Sequence, residues 1–177
     1  MRTLITVVFL VLLGVLGWVA WQVYVPVTPP ANTSLLLRPG YTSRRIAGEL
    51  KRAGVIRNEL AFEMWHALHR KRSLKAGEYL FDHPANLTLV HDRIVRGDVY
   101  FHVVTIPEGY TVFDIAKALQ ESGLATADEF LQLTGSRTDL ISDIAPDAKS
   151  LEGYLFPSTY QFTRTQSLDD MVAAMVH

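Results

Sequence analysis

The chain has 177 residues, 49% hydrophobic and 20% charged, with a formal net charge of −1 and no cysteine. These figures exclude a disordered chain, disulfides, thiolate metal sites and cysteine nucleophiles, and they lack the basic surplus that nucleic-acid binding needs. The average hides two unlike parts, because Leu4 to Val25 holds no charged side chain while the rest has ordinary soluble composition.

As a helix, Leu4 to Val25 would span roughly 33 Å, enough for a hydrocarbon core of about 30 Å. Trp18, Trp21 and Tyr24 cluster at its far end, where amphipathic rings suit a membrane interface, and Pro26 ends the helix. Only Arg2 and the terminal amine precede it. The positive-inside rule therefore places residues 1–3 in the cytoplasm and everything after Pro26 outside. A cleaved signal peptide is the alternative, but the apolar run exceeds the usual length of about 7 to 15 residues and no Ala-x-Ala-like site precedes Pro26. The segment reads as a single-pass anchor. Pro26, Pro29 and Pro30 make 26–33 a stiff, extended linker, expected to hold the soluble part of the chain off the bilayer.

Beyond the linker the charges separate. Leu35 to Tyr100 has 12 Lys and Arg against 7 Asp and Glu, whereas Phe101 to His177 has 4 against 11. Two modules sharing an interface or ligand would explain this, as would a chance distribution over solvated faces. An internal repeat supports two modules. At a shift of 69 residues, Gly40-Tyr41-Thr42 falls on Gly109-Tyr110-Thr111, and Ile46-Ala47, Leu50 and Gly54 fall on Ile115-Ala116, Leu119 and Gly123.

Each copy opens with an apolar run that reads as a strand (Leu35 to Leu37; Val103 to Ile106), then a turn, then a helix stopping at glycine. A second helix comes next, capped by Asn58 in the first copy and by a Thr126/Glu129 capping box in the second. Gly77 to Phe81 closes the first copy as a returning strand, giving strand, helix, helix, strand, a LysM-like order. In the second copy Gly153 to Phe156 is expected to close the unit in the same way. Between the copies Leu87 to Val95 reads as a short helix ending at Gly97. Ser167 and Asp170 open a last helix whose Met171, Val172 and Met175 face a core that no later residue supplies, which reads as a truncated chain.

Candidate chemistry concentrates in Leu151-Glu152-Gly153-Tyr154-Leu155-Phe156-Pro157-Ser158-Thr159-Tyr160. One carboxylate sits there among aromatic and apolar residues, surroundings that raise a carboxyl pKa toward that of a general acid. Tyr154, Phe156 and Tyr160 are candidate platforms for sugar rings. The plain alternative is a strand edge whose Glu152 is exposed or paired with an arginine. Other groups carry less. His66 and His69 lie three apart on a helix without a third ligand nearby, so they read as exposed residues and no metal site is expected. The basic cluster Arg70 to Lys75 suits a helix C-terminus, with anionic headgroups or peptidoglycan carboxylates as the functional alternative. Asp139, Asp143 and Asp147 read as turn and cap residues around Pro146 rather than calcium ligands. The sequons at Asn32 and Asn86 would matter only in a eukaryotic secretory route.

The anchor, the unit containing Leu74-Lys75-Ala76-Gly77-Glu78-Tyr79, then Ile106-Pro107-Glu108-Gly109-Tyr110-Thr111 and Leu151-Glu152-Gly153-Tyr154-Leu155-Phe156-Pro157, together resemble the endolytic murein transglycosylase (YceG-like) family. The resemblance implies a bacterial inner-membrane lyase that cuts nascent glycan strands internally between N-acetylmuramic acid and N-acetylglucosamine, leaving 1,6-anhydro ends. It implies no cofactor or metal. Its partners would be peptidoglycan strands, the membrane and cell-wall synthases, not nucleic acid. One departure stands out. The family's catalytic glutamate belongs to an Ala-Ser-Ile-x-Glu-Lys-Glu-like stretch on a later helix, which this chain lacks.

No catalytic residue is therefore expected within 1–177, with Glu152 as the fallback and Glu152, Tyr154, Phe156 and Tyr160 as cleft candidates. The expected architecture is α+β: stub 1–3, transmembrane helix 4–25, linker 26–33, LysM-like module 34–101, and 102–177 as the opening of a catalytic domain that begins with a second LysM-like repeat. The rival reading is a membrane-tethered peptidoglycan-binding module without catalysis.

Overall fold

A computed structural model describes residues 2–69 and 73–176, and the chain divides into two compact units at Val99/Tyr100. Arg70, Lys71 and Arg72 of the basic cluster lie outside the described residues. The class is α+β.

Unit one begins with α1 (Arg2–Tyr24), long and apolar enough over Leu4–Tyr24 to cross a membrane. Strand β1 (Thr33–Leu37), helices α2 (Ser43–Arg52) and α3 (Glu59–Leu68), strand β2 (Gly77–Phe81) and helix α4 (Leu87–Arg96) complete it. β1 and β2 pair antiparallel, Leu35 opposite Tyr79. Leu37, Ile46, Leu50, Phe62, Tyr79 and Ile94 are all buried and form the core of this unit, Ile46 and Leu50 among them as the repeat indicated. Tyr79 satisfies its hydroxyl by donating to Lys75 O at 2.9 Å, and burial pushes its phenol up to about 12. Asn58 caps α3 as expected, accepting from Leu60 and Ala61 N–H. Asn86 of the second sequon is the N-cap of α4.

Unit two repeats the plan: β3 (His102–Ile106), α5 (Val112–Glu121), α6 (Ala127–Ser136), a 3-10 turn (Thr138–Ile141), β4 (Ser158–Phe162) and α7 (Leu168–Val176). β1 and β3 are 69 residues apart, as are α2 and α5, while α3 and α6 are 68 apart. The turn glycines Gly40 and Gly109 share a left-handed φ, 83° and 85°, which a side chain would strain. The Thr126/Glu129 capping box forms, as does an unforeseen one at Thr111/Asp114. Ser167 accepts from Asp170 N–H at the start of α7.

Two expectations are overturned. The closing strand of the second copy is not Gly153 to Phe156 but Ser158–Phe162, whose Tyr160 pairs with Val104. Gly153 has a φ of 81° and Pro157 comes directly after Phe156, so neither flank of that stretch suits a ladder strand. Met171, Val172, Met175 and Val176 do not lack a core, because they are buried with Ile115, Phe130 and Leu151. The proline linker makes contacts with the rest of unit one. Val27 forms a bridge with Ala85, Pro29 is buried, and Arg57 donates to the carbonyls of Val25 and Pro26.

Candidate functional site

The Leu151–Tyr160 segment is a loop pinned at both ends. Leu151 is buried and its N–H donates to Thr134 O at 3.0 Å, while Phe156 N–H donates to Met175 O at 2.8 Å. Between these clamps Glu152 turns outward. It is exposed, and its Oε2 accepts the Val112 N–H at 3.0 Å, at the first turn of α5. A helix N-terminus presents unpaired N–H groups and a positive dipole end, and both favour a charged carboxylate. The surroundings that sequence alone suggested for this side chain, a desolvated pocket among aromatics, are not formed around it. Its role here is to tie the loop to α5.

The aromatic candidates do not converge on Glu152. Tyr154 and Phe156 line a cavity of about 290 Å³ with Ile141, Ile144, Leu155 and Val176. Phe156 is 59% exposed, so its ring face is open to a ligand. Tyr160 lies on β4, stacked on Phe162 with centroids 5.5 Å apart, and its hydroxyl donates to Phe156 O at 2.8 Å. Burial pushes its phenol up. Tyr160 thus supports the loop that carries Phe156. The sequence reading did not offer as candidates the exposed aromatics Tyr110 and Phe113, which flank the α5 N-terminus where Glu152 docks. The repeat held the signal: Phe113 occupies the position of exposed Arg44 in the first copy, where a core role is excluded.

Several acidic side chains of unit two are engaged in caps and ion pairs. Hydrogen bonds from Thr111, Thr126 and Arg137 hold the carboxyls of Asp114, Glu129 and Asp139, respectively, below the usual range. Asp169 is also paired with Arg137. Each of the three shifted carboxyls moves away from what a general acid requires. A larger cavity, about 420 Å³, lies between α6 and α7, but its carboxylates are Glu129 and Asp169, already committed to a cap and an ion pair.

In unit one the histidines are not the exposed pair expected. His66 Nδ1 lies 3.1 Å from Nε2 of fully buried His91, and the Nδ1 of half-buried His69 hydrogen-bonds Trp65 O at 2.8 Å. Burial lowers the pKa of both His66 and His91, so the pair is held neutral, one ring donating to the other.

The YceG-like family model matches residues 35–177. Named relatives are the endolytic murein transglycosylases of Streptococcus pneumoniae serotype 2 strain D39, 28% identical over 203 residues, and of Bacillus subtilis strain 168, 26% identical over 168. These alignments cover 95% and 85% of this chain but 37% and 47% of the relatives, so the chain spans less than half their length. A crystal structure of a yceG-like protein from Listeria monocytogenes aligns over 81% of this chain and 52% of its own, with a TM-score of 0.38 and 23% identity. With a match running from β1 through α7, this chain belongs to the YceG-like family.

Proposed function

We propose that this chain is the membrane-anchored, glycan-binding portion of a peptidoglycan lytic transglycosylase. The observation that carries the reading is the family match over residues 35–177, together with relatives named for that activity. In the reaction, a carboxylic acid protonates the leaving glycosidic oxygen between N-acetylmuramic acid and N-acetylglucosamine. The same carboxylate then takes the proton of the sugar's own 6-hydroxyl as that oxygen attacks the anomeric carbon, closing a 1,6-anhydro ring without water. Neither step calls for a metal or cofactor.

The residues present favour binding over chemistry. Glu152 is exposed and occupied at a helix N-terminus, and Asp114, Glu129 and Asp139 are held as carboxylates. The chain on its own is therefore proposed to be inactive, with the acid supplied from the length of the relatives that it does not match. Two LysM-like units would grip the glycan, with Phe156, Tyr154, Tyr110 and Phe113 as sugar platforms in the second. α1 is proposed to span the bacterial inner membrane with its N-terminus cytoplasmic and both units outside, close to nascent strands and their synthases.

Purified peptidoglycan incubated with the chain should be retained on it and yield no anhydro-muramyl ends by mass spectrometry. Anhydro ends that disappear in Glu152→Gln would place the acid at Glu152 and overturn the binding-only assignment. The chain should also stay with membranes through an alkaline carbonate wash, and recovery in the supernatant would remove the anchor.

A further inference from the structure

Helix α3 has two apolar faces. One, through Phe62, is buried in the core of unit one. The other is a stripe of Leu60, Met64 and Leu68, spaced by four so that the side chains stand one above another, and they are 68%, 64% and 79% exposed. Three large apolar side chains in a row do not belong on a water-facing surface helix.

The stripe is continuous with α1. A slot of about 200 Å³ runs between the two helices, bordered on α3 by Leu60, Met64 and Leu68 and on α1 by Trp18, Val19 and Val23. Position along α1 decides what fills it. Leu4–Tyr24 is 21 residues. That is about 31 Å at 1.5 Å per residue, against a hydrocarbon core of about 30 Å. A crossing helix with so little spare length cannot lift its final turns clear of the bilayer. Trp18 lies about 9 Å before Tyr24 along the axis. Whatever packs on Trp18 to Val23 shares their depth, at the outer edge of the leaflet. The groups around the slot fit that level. Tyr24 meets Trp65 edge to face at 6.3 Å, and the Arg57 guanidinium sits 4.9 Å over Trp21 while donating to the Val25 and Pro26 carbonyls. Aromatic rings with a cation above them are what a membrane interface favours.

On this basis we propose that unit one is seated in the membrane surface rather than suspended above it, with lipid acyl chains filling the slot and covering Leu60, Met64 and Leu68. A slot of about 200 Å³ is too small to take in a second helix, about 10 Å across, whereas part of an alkyl chain fits that volume. The inference rests on α1 being a membrane-spanning helix, so its test reports on both.

The chain has no cysteine, so single substitutions accept a nitroxide label cleanly. In the full chain reconstituted into phosphatidylcholine vesicles, labels at Met64→Cys, Leu12→Cys on α1 and Arg44→Cys on the exposed side of α2 would be compared. Met64→Cys is expected to fall between Leu12→Cys and Arg44→Cys, relaxed by oxygen and several-fold less by a water-soluble nickel chelate than Arg44→Cys. Nickel relaxation of Met64→Cys equal to that of Arg44→Cys, with Leu12→Cys still protected, would overturn the seating and leave the anchor intact. Nickel access at Leu12→Cys would remove the anchor and the seating together. Protection of Met64→Cys from both relaxants, growing with the protein-to-lipid ratio, would mean a second copy covers the stripe and would also overturn the proposal.

Discussion

Glu152→Ala separates an anchoring role from a catalytic one. The carboxylate accepts one backbone N–H at 3.0 Å and sits at the positive end of a ten-residue helix, yet it is exposed, so solvent competes for both interactions. A hydrogen bond of this kind contributes about 0.5–1.5 kcal/mol. The helix dipole adds about 0.3–1 kcal/mol near the surface. With solvent screening, a loss of about 1 kcal/mol is expected. Hydrogen exchange read by mass spectrometry on α5 peptides reports on this unit separately, and 1 kcal/mol corresponds to roughly fivefold faster exchange through the shared opening. Glu152→Gln keeps an acceptor for Val112 N–H and loses only the charge, so it should fall between wild type and Ala. The Glu-to-Gln difference should shrink in about 1 M salt, where the screening length is about 3 Å. Unchanged α5 exchange in Glu152→Ala would refute the anchoring role.

Three further outcomes are expected. Gly77→Ala should destabilise unit one by at least about 2 kcal/mol, because φ is 156° and an added Cβ would stand 2.1 Å from Val99 Cγ1. Denaturant unfolding followed by tryptophan fluorescence reads this, and Gly77→Ala with wild-type stability would contradict the packing. Phe62→Ala and Phe130→Ala each remove a fully buried ring from matched positions and should cost about 3–5 kcal/mol in their own units. Tryptophan fluorescence for the first and exchange of α5 and α6 for the second measure this. The His66/His91 pair predicts pH dependence of a definite sign: both folded pKa values lie below the ordinary 6.5, so the unfolded chain binds protons first and stability falls as pH drops below about 6.5. His91→Gln should flatten that slope in denaturant titrations between pH 7 and 5, and an unchanged slope would assign it to other groups.

Much of this fold was legible because the features that define it are local. The caps at Asn58 and Thr126, the glycine turns and the i, i+3, i+4 apolar positions of α2 and α5 are all short-range signals. The closing strand of unit two was misplaced because Gly153-Tyr154-Leu155-Phe156 resembles Gly77-Glu78-Tyr79-Leu80-Phe81 in composition. Strand pairing obeys the alternation of buried and exposed side chains, and the true counterpart of Tyr79-Leu80-Phe81 is Tyr160-Gln161-Phe162, with the same stacked aromatic pair. The 158–162 run was the better strand by that rule. Glu152 was legible as a singular carboxylate, and its exposure was one of the two readings the sequence offered, but its partner was not legible, since the Val112 N–H is 40 residues away. The histidine pair was hidden for the same reason: His91 comes from another helix.

The two copies also show what the charge asymmetry means. Helices α2 and α5 match at three buried positions, Ile46, Ala47 and Leu50 against Ile115, Ala116 and Leu119. At the outward positions the chemistry changes sign or kind: Arg44, Arg45, Lys51 and Arg52 become Phe113, Asp114, Gln120 and Glu121. One structural link survives this exchange by changing its chemistry. Lys51 ties α2 to the start of α3 through an ion pair with Glu59 at 3.2 Å, and its counterpart Gln120 ties α5 to the start of α6 by accepting the Ala127 N–H at 3.0 Å. The surface charge is therefore not needed to make the fold, since the same core and the same inter-helix tie form with either sign outside. What remains to set it is what each unit meets in solution, and the first unit's cationic α2 and the second unit's aromatic and acidic α5 are suited to different neighbours.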